Sequence, residues 1–412
     1  MSRSPSSRFI ALPVGQGDAF FLETPGRTLL VDGGRSIDCF ADLFRNITGR
    51  SSVDFVICTH NDADHANGII GFLQRGCICG EIWLPARWLA TLPHVLKPWP
   101  EILDSFRQPV LDAQGDFEEL GRRAWESGTP LIELYGDQLS REGRFKLETD
   151  GTDSTREVDG WPAGLISELE KADEDQPPGV VWVANHAVIR LWPFFNGKPA
   201  TQLFLEALGA ARRIREIALA AFHGGVAVRW FVFSDKAAPS DGLEWLEPAN
   251  ARQTVQVKPA APEEAVAWLA LSTSNRESLV FWAVKEGRCP RVLFTADSDL
   301  RGVRLPPALD AFMVTAPHHG SEANSNAYQE VKRMHGGSNV TWVRSDGRYR
   351  SRPGQSYLNA PRSRACTLCR TQPPSSKQAV AFFARSRKWT RSRTTKRCSC
   401  ADTFSEAEQA RT

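Results

Sequence analysis

The chain has 412 residues, 42% of them apolar and 24% charged, with 50 Lys+Arg against 48 Asp+Glu. Such a balance excludes an intrinsically disordered polymer and supplies enough apolar surface for two units, or for one large domain with insertions. No apolar run approaches the ~18 residues of a membrane span, and the stretch after the polar Met1–Arg8 is soon broken by Pro13, Gly15 and Asp18, so neither a transmembrane helix nor a secretory leader is expected.

The near-neutral total hides a cancellation. Thr341–Thr412 carries 16 Lys+Arg and 4 Asp+Glu, which leaves residues 1–340 acidic. An acidic body with a basic tail favours a polyanionic partner. The 9 cysteines, an odd number in a chain without an expected leader, point to the reducing cytoplasm and argue against a complete disulfide framework.

In chain order, Phe9–Val14 predicts a strand that ends at Gly15-Gln16-Gly17-Asp18. Ala19–Glu23 and Thr28–Val31 predict a hairpin around Pro25-Gly26, and a helix is expected over Ile37–Asn46. Phe55–Cys58 is a short continuous apolar run, the pattern of a strand buried on both faces, and it opens at once into Thr59–Gly68. Ile69–Leu73 predicts the start of a helix and Glu81–Leu84 the next strand. Pro98–Leu120 and Ala163–Glu170 have helical spacing, whereas Val180–Val183 and Val188–Trp192 read as strands. Glu148–Gly160 and Lys171–Gly179 read as acidic loops, and Lys236–Glu264 as an irregular connection. Strands return at Leu279–Val284, Arg291–Thr295 and Ala311–Thr315. The last two empty into Ala296–Asp299 and Pro317–Ser321, which is where sheet-based enzymes place reactive residues.

The densest chemical signal is His60-Asn61-Asp62-Ala63-Asp64-His65, with four metal-capable side chains in a chain that holds only 8 histidines. Imidazole and carboxylate suit Zn²⁺, Mn²⁺ and Fe²⁺, and one short loop can turn several of them toward a point. The hexapeptide resembles the His-x-His-x-Asp-His signature of the metallo-β-lactamase family, with Asp62 where the second His would stand. This version is similar to that of the metallo-β-lactamase domain of ComEC-type DNA-uptake proteins and their soluble relatives. Further blocks resemble that family in the same order: Val14–Ala19, Leu30–Gly34, Asn275–Val280, Leu293–Asp297 and Ala316–Ser321.

The resemblance implies an α/β fold, a four-layer αββα sandwich. Residues 1–340 would form the hydrolase domain with a central insertion at about 88–270, and 341–412 a small basic C-terminal module. It implies two divalent metal ions, Zn²⁺ or Mn²⁺. His60 and Asp62 would serve one, Asp64 and His65 the other, and Asp297 would bridge them. His318 or His319 would be the final ligand, His318 preferred because it follows the strand sooner. Catalysis would rest on Asp64, His60 and Asp297, with Asp18, Asp32, Asn275 and Ser321 orienting the ligand loops. Asp62 and Asn275 replace imidazoles with oxygen donors, which shifts preference toward Mn²⁺ or Mg²⁺ and suits phosphate better than an amide. His223 is a candidate stand-in for the missing imidazole. His94, His186 and His335 read as surface or packing residues, and Cys77 and Cys79 as core.

The expected activity is hydrolysis of a phosphodiester, in nucleic acid or a nucleotide, by a metal-activated hydroxide. Two alternatives are a small-molecule ester, lactone or thioester hydrolase of the same fold and a non-catalytic nucleic-acid-binding module. Stand-alone relatives of this kind also suggest protein partners in a multi-component bacterial system, and no membrane.

Near the end, Cys366-Thr367-Leu368-Cys369 and Cys398-Ser399-Cys400 form two cysteine pairs able to hold a structural Zn²⁺ in a small ribbon. Between them, Lys377–Arg397 carries 8 basic residues and no acidic one. Arg385, Arg387, Lys388, Trp389, Arg391 and Arg393 are the candidate nucleic-acid contacts there, through phosphate neutralisation and base stacking. Removing Thr341–Thr412 is then expected to abolish nucleic-acid binding and to leave small-ester turnover unchanged.

Overall fold

The computed structural model describes residues 7–112, 117–143, 145, 147, 157–174, 198–234, 241–254, 257–283, 290–303, 305, 311–335, 340–345, 352–360, 363–368, 378–385, 388–395, 398 and 400. The proposed strands Val180–Val183 and Val188–Trp192, together with His186, Cys369 and Arg387, lie outside them.

The first half begins with strands β1 (Arg8–Ala11), β2 (Phe20–Thr24) and β3 (Arg27–Val31), helix α1 (Phe40–Thr48), strand β4 (Ser52–Ile57), helix α2 (Ala63–Gln74) and strand β5 (Ile78–Pro85). Helices α3 (Arg87–Val95), α4 (Trp99–Asp112), α5 (Phe117–Ser127) and α6 (Leu131–Glu142) follow. After them come the short pair β6 (Glu157–Val158) and β7 (Trp161–Pro162), then helices α7 (Ala163–Glu174) and α8 (Lys198–His223). The second half holds β8 (Ala227–Phe233), β9 (Leu246–Pro248), β10 (Ala251–Gln253), α9 (Ala265–Ser272), β11 (Phe281–Ala283), β12 (Val292–Phe294) and β13 (Phe312–Thr315). It closes with α10 (Ser325–His335), β14 (Val340–Arg344), α11 (Gln355–Leu358), β15 (Arg364–Cys366), β16 (Val380–Arg385) and β17 (Lys388–Arg391).

Two sheets form the centre. One runs β10-β8-β5-β4-β3-β2-β1-β16-β17, and the other β15-β14-β13-β12-β11-β9. In the first, β3, β4, β5 and β8 are mutually parallel, as are β12 to β15 in the second. Period-two alternation along each strand sorts its side chains between two cores. Phe9, Phe20 and Leu22 face the second sheet, where they meet Phe281, Phe294 and Val343, while Ile10 and Phe21 face the helices. Phe294 lies 6.2 Å from Phe9 and 6.3 Å from Phe20, centroid to centroid, which closes the inter-sheet core with aromatic rings. Helices α1 to α9 cover the outside of the first sheet, and α10 and α11 cover the outside of the second. The molecule is an αββα sandwich.

Several boundaries differ from those read in the sequence. Helix α2 begins at Ala63, inside the hexapeptide, and not at Ile69. The 26-residue α8 gives no strong signal in the sequence, because its buried stripe (Leu203, Ala207, Ala210, Ala211, Ile214, Ala218) is largely alanine and weakly hydrophobic. Lys236–Glu264 contains β9 and β10, and Lys171–Glu174 continues α7. The true interruption is the crossover from β5 to β8, since β8 pairs in parallel with β5. Most consequentially, the described strands of the C-terminal segment are built into the body: β14 and β15 extend the second sheet, and β16 pairs with β1 in the first. Among the described residues, no helix is long and apolar enough to cross a membrane.

Candidate metal centre

The hexapeptide leaves β4 and enters α2. Asp62 is the residue before the first helical turn, yet its carboxylate does not cap the helix; its Oδ2 instead lies 3.7 Å from His60 Nε2. Asp64 stands in the first turn, where the helix dipole favours a negative charge. The glycine-rich loops bring the neighbouring chain close. Gly17 has φ +94°, and a Cβ there would lie 1.7 Å from the Asp64 carbonyl oxygen. Gly33 and Gly68 pass so closely that a side chain on Gly68 would overlap the Gly33 carbonyl. The Gly15–Asp18 and Asp32–Gly34 blocks are therefore close-approach loops that seat the start of α2.

From the second sheet, the ends of β12 and β13 deliver Asp297, His318 and His319. Ala296, His318 and His319 all occupy the left-handed region, with φ of 47°, 44° and 53°. For residues with a Cβ that conformation stores roughly 1–3 kcal/mol each, a strain that gathers at functional sites.

Asp297 is the hub. Its Oδ1 lies 3.2 Å from His65 Nε2 and 3.7 Å from His319 Nε2, while its Oδ2 lies 3.9 Å from His60 Nε2 and 3.7 Å from His318 Nε2. His319 Nε2 is also 3.5 Å from Asp64 Oδ2. Two groups of potential ligands thus share one carboxylate: His60, Asp62 and Asp297 on one side, and His65, Asp297 and His319 with Asp18 behind them on the other. The preference for His318 over His319 is not what the geometry shows. Both reach Asp297, on opposite oxygens, and His319 is the one set among Asp64 and His65.

Every imidazole is held from behind. His65 Nδ1 donates to Asp32 Oδ2 at 2.8 Å, and Asp32 also accepts from the Thr59 backbone N–H and hydroxyl. His60 Nδ1 donates to Thr59 Oγ1 at 3.0 Å, His319 Nδ1 to Asp18 Oδ1 at 3.0 Å, and His318 Nδ1 to Asn324 Oδ1 at 3.1 Å. Bonds of this kind fix the tautomer and aim the other ring nitrogen. The Nε2 atoms of His60, His65 and His319 and the Oδ1 of Asp297 are buried and without hydrogen-bond partners. Lone pairs converging on a point without a partner fit divalent cations, which would satisfy all of them at once.

The electrostatics agree. Burial disfavours a charged His65, but Asp297 and Asp32 override it and hold the ring well above the ordinary histidine range; His319 is raised likewise by Asp297 and Asp18. Burial opposes ionisation of Asp64, and its close approach to His319 outweighs it, keeping this carboxylate well below its usual range. Asp18 is pushed up to about 6 by burial, against the pull of His319. A cluster this rich in carboxylates calls for positive charge.

Side chains from the insertion complete the site, and the sequence reading missed them. Glu133 on α6 accepts from Asn275 Nδ2 and stands near the place of the imidazole that Asn275 lacks. Burial, with Asp62 and Asp137 nearby, pushes its carboxyl well above the glutamate range. His223, the proposed stand-in, sits exposed at the C-terminal end of α8. His94 is a packing residue whose Nε2 lies 2.7 Å from the Ala260 carbonyl oxygen. Asn324 ties His318 to the Asp297 carbonyl, while Ser321 caps only the short turn that carries Asn324. Arg213 on α8 donates from Nε to the Asn61 carbonyl at 2.7 Å, and Arg352 approaches His318 Nε2 at 2.5 Å. Adjacency in sequence could not reveal Glu133, Arg213 and Arg352, because each arrives from a distant element.

Two cavities meet at the cluster. A cleft of about 730 Å³ is bordered by Asp62, Asp64, Asp297 and Glu133, by Arg35, Arg213 and Arg352, and by Trp125 at its rim. Trp125 is 89% exposed. A second cavity of about 310 Å³ adds Arg123, Arg141, Arg276 and Arg301, and shares Thr129, Glu133, Asp297 and His318 with the first. Arg352 is the one basic residue of Thr341–Thr412 that lines a cavity among the described residues; the candidate contacts Arg385, Lys388, Arg391 and Arg393 line neither. Arg385, Lys388 and Arg393 are exposed at the edge of the first sheet, beside a half-buried Arg391. Trp389 is half-buried: it packs edge-on against Phe9 at 6.2 Å and donates to the Arg291 carbonyl, so it helps to cover the core.

Residues 12–127 match the family model of the metallo-beta-lactamase superfamily. Comparison with curated proteins finds no match. The matched segment ends before the strands that supply Asp297, His318 and His319, yet those strands complete the same two-sheet sandwich. Fold, family match and the two ligand-capable groups around Asp297 are together those of a metal-dependent hydrolase.

Proposed function

We propose that the protein is a phosphodiesterase that acts on nucleic acid or a nucleotide. The observation that carries this reading is the pair of arginine-bordered cavities meeting at Asp297 and His318. Arg35, Arg213 and Arg352 lie on one side and Arg123, Arg141, Arg276 and Arg301 on the other, so phosphates on either side of a scissile bond would find guanidinium partners. The exposed ring of Trp125 offers a face for a base. A ligand set of three aspartates and four histidines mixes carboxylate and imidazole donors, which suits borderline divalent ions such as Mn²⁺ and Zn²⁺.

His60, Asp62 and Asp297 would hold one divalent ion, joined by His318 once Arg352 leaves its Nε2, and Asp64, His65, His319 and Asp297 would hold the other. When bound, such a pair lowers the pKa of water and stabilises charge on the phosphoryl oxygens. The protein supplies the rest. Asp64, held ionised, orients the attacking water in line with the phosphorus. Arg213 and Arg352 fix the non-bridging oxygens, and Glu133, which faces both cavities, offers a proton to the leaving oxygen.

The volume of the larger cleft also lies within the range of a small-molecule pocket. A test therefore compares phosphodiesters with esters. Metal-loaded protein is offered single- and double-stranded DNA, RNA, a bis-aryl phosphodiester, and a lactone and a thioester. Cleavage of phosphodiesters that Asp64→Ala abolishes and Arg213→Ala lowers by roughly tenfold or more would support the proposal. Turnover of the lactone or thioester alone would replace it with the small-molecule reading.

A further inference from the structure

We propose that Cys366, Cys398 and Cys400 hold a structural zinc ion that clasps the two sheets together at their C-terminal strands. Cys366 closes β15 on the edge of the second sheet, whereas Cys398 and Cys400 follow β17 on the edge of the first. Their sulfurs nevertheless converge: Cys366 Sγ lies 3.2 Å from Cys398 Sγ and 3.9 Å from Cys400 Sγ. Thiolates around tetrahedral zinc, with Zn–S bonds of about 2.3 Å, sit about 3.8 Å apart. Three converging sulfurs are one too many for a disulfide and suit a shared ion. Cys366 and Cys400 are buried, at 0% and 1% exposure, so a charged thiolate there needs a counter-charge.

The surroundings are built for thiolates. The Tyr357 hydroxyl lies 3.1 Å from Cys366 Sγ and 4.0 Å from Cys398 Sγ, and Arg344 Nη1 lies 3.8 Å from Cys366 Sγ. Donors around ligating sulfurs are the outer contacts that metal sites use. Cys369 stands three residues after Cys366, at the spacing of a zinc-binding pair; its position lies outside the described residues. An all-sulfur site selects zinc, in contrast to the mixed imidazole and carboxylate cluster at Asp297. The clasp also differs from the ribbon expected from sequence, because its ligands join two sheets and do not organise a separate module.

The ion would close the excursion from Cys366 through β16 and β17 to Cys398, which keeps β16 paired with β1. Cross-linking a loop in this way stabilises the folded chain mainly by restricting the unfolded one.

Full-length protein purified in zinc, and the same protein reconstituted with cobalt, test the proposal. Wild type should carry a zinc that survives Asp297→Ala, and its cobalt form should show intense thiolate-to-cobalt charge-transfer absorption in the near ultraviolet. Cys398→Ser should lose that absorption and one metal per chain while retaining the metal at the Asp297 cluster. If Cys398→Ser does not fold, the cobalt spectrum of wild type decides alone. Soluble cobalt-loaded wild type without thiolate bands would overturn the clasp. So would a Cys366–Cys398 disulfide in protein whose free thiols were blocked during purification, or a Cys398→Ser protein that keeps its full zinc content.

Discussion

Asp18 and Asp32 touch no other ring atom of the cluster than Nδ1, yet each aims an Nε2 into it, of His319 and His65 respectively. Asp18→Ala should lower affinity for the ion beside His319 by about 10–100-fold, as removal of outer contacts on ligating histidines does elsewhere. Competition against a chelating dye measures this, and unchanged affinity would deny Asp18 that part. Gly17 makes a different kind of demand. Gly17→Ala would combine a strained φ with overlap of the Asp64 backbone, whereas Gly26→Ala shares the positive φ (+81°) and meets nothing. Denaturant titration should find both variants destabilised, Gly26→Ala by roughly 1 kcal/mol and Gly17→Ala by clearly more. Equal losses would mean the Gly17–Asp64 approach carries no energy. The hexapeptide, the glycine blocks and the pair His318-His319 were legible in the sequence because each is contiguous. Which oxygen of Asp297 each histidine would face was not, since that depends on the left-handed turn at His318 and His319.

At the level of elements, the informative comparison is α6 with the loop ending β13. The loop announced itself through its histidines, whereas α6 reads as an ordinary amphipathic helix whose Glu133 happens to be buried at 4% exposure. A lone carboxylate in a helix gives no motif. Its meaning comes only from Asn275, 142 positions away in sequence. If Glu133 protonates the leaving oxygen, Glu133→Gln should slow hydrolysis of alkyl phosphodiesters by about 10²-fold or more and spare an aryl diester whose leaving group needs no proton. Equal effects on both substrates would reduce Glu133 to a packing role. The C-terminal strands teach the opposite lesson. Their basic residues dominated the composition, but the buried Val380 and Phe382 of β16 decide where the segment goes, and two core positions in a six-residue strand are easily outvoted by charge. Removing Thr341–Thr412 would therefore take away part of both sheets, so that loss of binding in such a truncation reports misfolding. Single substitutions on the exposed face, such as Lys388→Glu, are the sound probe of that edge.

For the whole molecule, the two sheets meet where the ligands do: β4 with α2 supplies four candidate ligands, and β12 and β13 supply the other three. Binding ions at Asp297 ties one half of the sandwich to the other, so it should stabilise both. At free metal about 100-fold above Kd the gain is roughly 2.7 kcal/mol per site. A rise in Tm on adding Mn²⁺ or Zn²⁺ to chelated wild type, absent in Asp297→Ala, is the expected outcome of a thermal unfolding series. The overall sandwich was readable from ordered blocks at either end of the chain. Its true interruption was not, because β8 carries no signature beyond its apolar run and joins β5 only through a long helical crossover.

The most direct test is single-turnover cleavage of an end-labelled single-stranded oligonucleotide by Mn²⁺-loaded protein, wild type beside Asp297→Ala, with bound metal counted in both. Wild type should carry two ions at the cluster and cut the strand, and Asp297→Ala should lose bound metal and at least about 10²-fold in rate. Cutting that continues undiminished in Asp297→Ala, or a fully metallated wild type that leaves every phosphodiester intact, would contradict it.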